Sequence, residues 1–283
     1  MVIFNKIAPL RTFLKAKRAA GKTIGLVPTM GALHAGHLSI IEVSKAQNDI
    51  TVCSIYINPT QFNNANDLKQ YPRTFDKDKN LLEKVECDVL FYPDNEEMYQ
   101  KTSFLKFDFG HLGSVMEGEF RPGHFSGVAL VVSKLFNIVE PDNAYFGQKD
   151  WQQFAILSQL VEEIKFNLTL HSIPTLREKD GLAMSSRNMR LNSDQRGHAL
   201  FFYNGLNAAK KAFHEGKSIE EVKSLIRKMA IENPNVQLEY FEVADSKNLN
   251  VLENVRAADR PIMCIAGFVG EVRLIDNMFI DLS

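Results

Sequence analysis

Two histidines, His34 and His37, stand three positions apart around Gly36, within the run Pro28, Thr29, Met30, Gly31, Ala32, Leu33, His34, Ala35, Gly36, His37. At a helix start that spacing sets both imidazoles on one side. Gly31 and Gly36 let backbone approach a ligand closely. A helix beginning near Gly36 aims free amides and its positive dipole end at that ligand, which suits phosphate. Two imidazoles there can stabilise charge developing on an α-phosphate or a departing pyrophosphate. Two structural histidines in a tight turn are the plainer alternative, and the strand–turn–helix setting favours function. A zinc reading lacks a third ligand nearby, and Cys53 falls in an expected buried strand, so no protein-held metal is expected.

Two further clusters carry polar chemistry. Gly147, Gln148, Lys149 and Asp150 follow an expected strand, with Gln153 one helical turn beyond Asp150. Lys149 offers phosphates a point charge, and Asp150 can accept hydrogen bonds from ribose hydroxyls. Met184, Ser185, Ser186, Arg187 and Asn188 form the third cluster. Two hydroxyls, backbone amides and a guanidinium fork make a compact anion grip. Taken singly, the second cluster reads equally as an ordinary helix start, and the third as a surface loop.

The elements that must position these residues follow from apolar periodicity. Leu10, Phe13 and Leu14 give a first helix its buried stripe, with Pro9 near its start and Gly21 closing it. Strands are expected over 23–28, 49–57, 89–92, 143–146 and 167–173, and helices near Leu38, over 75–85, within 123–139 and through Ile156. Between them, 58–74 reads as a long polar loop. This alternation predicts an α/β fold, a Rossmann-like, doubly wound parallel sheet with helices on both faces. In such sheets the carboxyl ends of neighbouring strands share one crevice. After Pro174 the pattern changes: a polar loop over 177–192, helices over 193–214 and 218–232, and strands over 236–243, 262–268 and 272–280. Two domains are therefore expected, a catalytic one over 1–175 and a smaller α+β one over 176–283.

Composition limits the partners. A net charge of −1 leaves no broad basic field for nucleic acid. No apolar run reaches membrane-spanning length. Arg11, Lys15, Lys17 and Arg18 read as a solvated helix face rather than a targeting segment. Three widely spaced cysteines argue for a reducing compartment, and a cytoplasmic location is expected.

Together the clusters resemble the pantoate–β-alanine ligase family. His34, Ala35, Gly36 and His37 look like its version of the HxGH nucleotidyltransferase signature. Asn58, Pro59, Thr60, Gln61 and Phe62 resemble its substrate loop, and Tyr71, Pro72, Arg73 and Thr74 its next landmark. Arg121, Pro122, Gly123, His124 and Phe125 match a further motif, and the loop around Ser185 resembles its KMSKS counterpart. Leu130 and Trp151 depart from the pattern, which has threonine at the first and tyrosine or phenylalanine at the second.

The resemblance implies adenylation of pantoate by ATP, then capture of the adenylate by β-alanine. His34 and His37 would meet phosphate charge, with His37 the proton donor. Residues 28–37, Lys149, Met184, Ser185, Ser186 and Arg187 would hold ATP, with Gly147, Gln148 and Asp150 toward the ribose and Leu176 at the adenine. Met30, Gln61 and Gln153 would line the pantoate pocket, and Gln61 would also meet β-alanine. Mg²⁺ would ride on the phosphates, with Asp76 and Asp78 weak candidates as more distant ligands that read rather as solvated helix residues. The family implies a homodimer. The rivals are another HxGH enzyme acting on a phosphorylated metabolite, and a nucleotide-sensing or RNA-binding module.

Overall fold

A computed structural model describes residues 1–281. Six strands form one parallel sheet: β1 (Val2–Phe4), β2 (Ile24–Thr29), β3 (Ile50–Ile55), β4 (Val89–Phe91), β5 (Asn143–Gly147) and β6 (Thr169–Ile173). Their order, β1-β4-β3-β2-β5-β6, reverses direction between β2 and β5, so the topological switch point lies there. The doubly wound α/β expectation holds. The extra edge strand β1 was not anticipated, because three residues carry too little periodicity to be read.

The switch point is also a gap. β2 and β5 pair only at Gly25 with Asn143 and Leu26 with Ala144, then part. Pro28 explains the parting. Along this stretch, Thr23 and Thr29 offer their carbonyls to the β3 side, whereas Ile24 bonds on the β5 side, to Asp142. By that alternation the position of Pro28 faces β5, and proline has no N–H to extend the ladder.

Helices α1 (Ile7–Ala19), α2 (Ala35–Gln47), α3 (Ala65–Gln70), α4 (Phe75–Lys84), α5 (Asn95–Met98), α6 (Glu117–Phe120), α7 (His124–Val139) and α8 (Trp151–Ile164) connect these strands. The central strands β2, β3 and β4 are buried along most of their length because helices cover both faces. One cluster packs Leu10, Leu14, Leu26, Val132, Phe136 and Leu157; another packs Leu33, Ile41, Leu82 and Leu90 against the opposite face.

Beyond β6 come α9 (Ser193–His198), α10 (Leu200–His214), α11 (Ile219–Ile231) and an antiparallel sheet of β7 (Val236–Asp245), β8 (Pro261–Val269) and β9 (Val272–Phe279). It has its own apolar cluster, with Phe202, Leu206, Ile226, Val243 and Ile265 fully buried or nearly so. The capping box expected at Ser218 and Glu221 is present.

Two sequence expectations need correction. The helix expected over 193–214 is split at Ala199, where α9, which starts on a reciprocal cap between Asn192 and Gln195, ends and α10 begins. The polar loop over 58–74 contains a 3-10 turn, Pro59–Gln61, and α3, each capped by an asparagine side chain, Asn58 and Asn64. Short capped turns without an apolar stripe leave no periodic trace. Among the described residues no helix is long and apolar enough to cross a membrane.

Candidate active site

A single cavity occupies the β2–β5 gap and brings together most of the residues singled out from the sequence. Its wall includes Pro28, Thr29, Met30, His34, Gly36 and His37 from the first segment, and Gly147, Lys149, Asp150 and Gln153 from the second. Gln61, Leu176, Met184, Ser185, Ser186 and Arg187 complete the expected set. Gly31, Ala32, Leu33, Ala35 and Gln148 do not line it. Ala32 and Leu33 are buried, and Leu33 packs into the core behind the sheet.

The turn carrying the histidines is shaped from behind by Asp78. Gly31 and Ala32 both take left-handed conformations, with φ of 81° and 51°. Glycine adopts that freely; alanine does so at a cost. The Asp78 carboxylate accepts Ala32 N–H at 2.9 Å and Leu33 N–H at 2.7 Å, and the Thr74 hydroxyl at 3.1 Å. Asp78 is 1% exposed, so the expectation of a solvated helix residue was wrong. The contact spans 45 residues and more, and no local pattern announces it.

Helix α2 starts at Ala35, with His34 as its N-cap. The imidazole centroids of His34 and His37 lie 4.0 Å apart. His34 N–H donates to His37 Nδ1 at 3.4 Å, which leaves the His37 proton on Nε2. Burial, with the Lys149 charge second, pulls His34 down to about 4. Burial, then His34 and Lys149, holds His37 well below its usual range. At neutral pH both rings are therefore uncharged.

The Lys149 turn is fixed from the far sheet. Asn277, on β9 and 3% exposed, donates its amide to the carbonyls of Gln148 and Lys149 at 2.9 and 2.8 Å. Its neighbour Asp276 takes Arg177 in a fork at 2.6 and 3.0 Å, steadying the chain that leads to Ser185. In that loop Ser185 Oγ accepts Arg187 N–H, keeping its own hydrogen available, while Ser186 Oγ donates to the Ala32 carbonyl at 3.0 Å. The expected pair of free hydroxyls is thus reduced to one. Leu176 is 40% exposed at the cavity edge, and its carbonyl accepts Met184 N–H.

Another part of the wall is built from the neutral groups Gln61, Asn58 and His124, with Arg121 beside them. Gln61 is 9% exposed, with Nε2 3.2 Å from Met30 Sδ and Oε1 accepting from Asn58 at 3.1 Å. His124 Nδ1–H donates to the Gln61 carbonyl at 2.7 Å, so its Nε2 is a bare acceptor. Burial, then Arg121, pulls His124 down to about 3. Gly127 lets α7 approach, since a Cβ there would collide with the Thr60 carbonyl. Of the adjacent glutamines, Gln152 is tied to Glu117, Leu112 and Val115, whereas Gln153 lines the cavity. Trp151 does not line it; its indole donates to Ser246 and packs edge-on against Phe279. Leu130 is 6% exposed and also lies off the wall. Asn58, Tyr71, Arg121 and His124 join the wall without having been assigned roles.

Among the described residues no group of three or more His, Cys, Asp or Glu side chains is placed to hold a metal ion. Cys53, Cys87 and Cys264 are buried and free.

Residues 2–279 match the family model described as pantoate-beta-alanine ligase. A pantothenate synthetase of Porphyromonas gingivalis is 45% identical over 278 residues, covering 98% of this chain and 99% of its own. One from Aquifex aeolicus is 46% identical over 278 residues, covering 98% of each. A crystal structure of pantothenate synthetase from Thermus thermophilus superposes with a TM-score of 0.92 at 36% identity, over 98% of this chain and 99% of that one. A pantoate-beta-alanine ligase from Francisella tularensis, complexed with beta-gamma ATP and beta-alanine, gives a TM-score of 0.78 at 34% identity, covering 98% and 97%.

Proposed function

This chain belongs to the pantoate–β-alanine ligase family, and from that we propose how its cavity divides the work. The reaction is the ATP-dependent condensation of pantoate with β-alanine to give pantothenate, AMP and pyrophosphate. It runs through a pantoyl adenylate. Pantoate carboxylate oxygen bonds to the α-phosphorus as the bond to pyrophosphate breaks. The β-alanine amine then bonds to the acyl carbon, loses a proton, and displaces AMP. Neither step needs a nucleophile from the protein. The protein must place the reactants, meet developing charge and exclude water.

One observation carries this assignment: a single cavity is lined both by His34, His37, Lys149, Ser185 and Arg187 and by the amides of Gln61 and Gln153. His34, His37, Lys149, Ser185 and Arg187 serve the triphosphate, with Asp150 and Gly147 at the ribose and Leu176 at the adenine. With its Nδ1 accepting the His34 N–H, His37 turns its Nε2–H toward the phosphates as a hydrogen-bond donor. Gln61 and Gln153, with Met30, hold pantoate, since amides bind hydroxyl and carboxylate oxygens without burying a charge. Gln61 also borders the path of β-alanine.

Mg²⁺ belongs to the proposal as an ion carried by the triphosphate, where it neutralises phosphate charge. The donor set fits that arrangement: both Asp78 oxygens already hold backbone amides, which leaves Asp150 as the half-exposed carboxylate of the wall. A homodimer, a cytoplasmic location and a catalytic unit of 1–175 closed by a lid of 176–283 are further parts of it. Separate apolar clusters on the two sides of residue 175 support the last. Sedimentation with and without ATP checks the dimer.

The deciding experiment supplies ATP, Mg²⁺, pantoate and β-alanine and identifies the products. AMP and pantothenate, formed only with both organic substrates, support the reading. ADP, or indifference to pantoate, overturns it.

A further inference from the structure

Helix α3 lies between Gln61 and Tyr71, two residues of the cavity wall. It has six residues and buries none of them. So short a helix has little stability of its own, and no apolar face docks it. Ion pairs do so instead. Asp67 gives one carboxylate oxygen to Arg187 and the other to Arg190, each at 2.9 Å. Arg190 also donates to Gln70 Oε1 at 2.6 Å, at the helix end. These bonds cross 120 residues of sequence or more, so nothing local predicts them.

The arrangement is unequal. Arg187 lines the cavity, whereas Arg190 does not. A guanidinium has five N–H donors, and the side-chain bond Arg187 makes in the protein is the one to Asp67, through a single terminal nitrogen. Its other donors remain for a ligand. One carboxylate shared between two guanidinium groups leaves a surplus positive charge beside the cavity. Asp67 therefore orients Arg187 without consuming it.

We propose that Asp67 and Arg190 are positioning residues of the ATP site: Asp67 holds Arg187 against the cavity, and Arg190 holds Asp67. Through α3, the same contact ties the Gln61 end of the cavity to its triphosphate end. This rests on reading the cavity as an ATP and pantoate site.

Steady-state kinetics with purified full-length protein test it. Asp67→Asn raises the KM for ATP about tenfold, the effect of one charged hydrogen bond, and raises the KM for pantoate as α3 loosens. Arg190→Gln moves both in the same direction by less. In an Arg187→Ala background, Asp67→Asn changes the ATP KM no further, a result that a merely structural role would not produce. Thermal melting accompanies each variant. If Asp67→Asn melts early, Arg190→Gln alone and in the Arg187→Ala background gives the same reading. Unchanged or tighter ATP binding in Asp67→Asn overturns the proposal, as do losses that add in full to those of Arg187→Ala. A wild-type protein that makes no pantothenate overturns the functional reading instead, so the two failures are distinct.

Discussion

At the triphosphate end of the cavity, donors arrive from three separate segments: the imidazoles from the start of α2, Lys149 from the turn after β5, Arg187 from the loop beyond β6. At the other end, Gln61, Asn58, His124 and Met30 form one bonded group. The first end is held at a distance, by Asp78 behind the histidine turn, Asn277 behind Lys149 and Asp67 beside Arg187. The second is tied mostly through Gln61, with Asn58 held in turn by the Gly127 carbonyl and the Tyr99 hydroxyl. Lys149 and Arg187 carry like charges and cannot orient one another, so their supports come from elsewhere in the fold, whereas the neutral amides of Gln61 and Asn58 bond to each other.

That contrast can be broken in order of severity. His37→Ala removes a donor aimed at developing phosphate charge. Single-turnover kinetics should show a loss on the order of 100-fold or more in adenylate formation, with the melting temperature kept. Near-normal turnover would remove the histidines from the chemistry. Asp78→Asn deprives two buried amides of a charged acceptor and should lower stability by about 1–3 kcal/mol in urea unfolding. Turnover should fall with it, because the strained turn relaxes; a stable, fully active variant would show that the turn holds without it. Gln61→Ala should raise the KM for pantoate about tenfold, the scale of a lost hydrogen bond and its unpaired partner, while leaving the KM for ATP close to the wild-type value. Equal effects on both substrates would mean that Gln61 acts through the α3 tie to the triphosphate end rather than on pantoate directly.

The smallest effect is in pH. His34 and His124 have folded pKa values of about 4 and about 3, below the 6.5 of a free histidine. The unfolded chain therefore binds their protons first, so the stability they contribute is fully present above about 6.5 and declines as pH falls through 4 and 3. His124→Asn should flatten the lower part of that decline, measured as the midpoint of denaturant unfolding at each pH. An unchanged slope would mean that His124 is not the buried neutral base described above.

Much of this was legible from residues alone. The glycines and histidines of 28–37, and Lys149 after its strand, advertise a phosphate site because local geometry and chemistry coincide there. The central strands were readable because both faces are apolar. The supports were not. Asp78 sits in the first turn of α4, where an acidic residue looks like ordinary dipole compensation. Asn277 lies in a strand that otherwise reads as packing. Each acts on backbone groups tens of residues away, which sequence periodicity cannot register. Sequence singled out Gln153, which lines the cavity, and gave Ser186 a ligand's role where the fold uses its hydrogen for the Ala32 carbonyl.

Pro28 has a consequence beyond parting two strands. A ligand that wedged apart a closed parallel ladder would have to break its hydrogen bonds first. It would also leave the freed groups without partners. Here the position facing β5 has no N–H to orphan, and the gap is part of the folded chain before any substrate arrives. Interaction energy that would otherwise go into opening the sheet is left for contacts that form in the transition state. A single imino acid thus leaves the cleft open in the folded chain, so that substrate association meets a gap already formed.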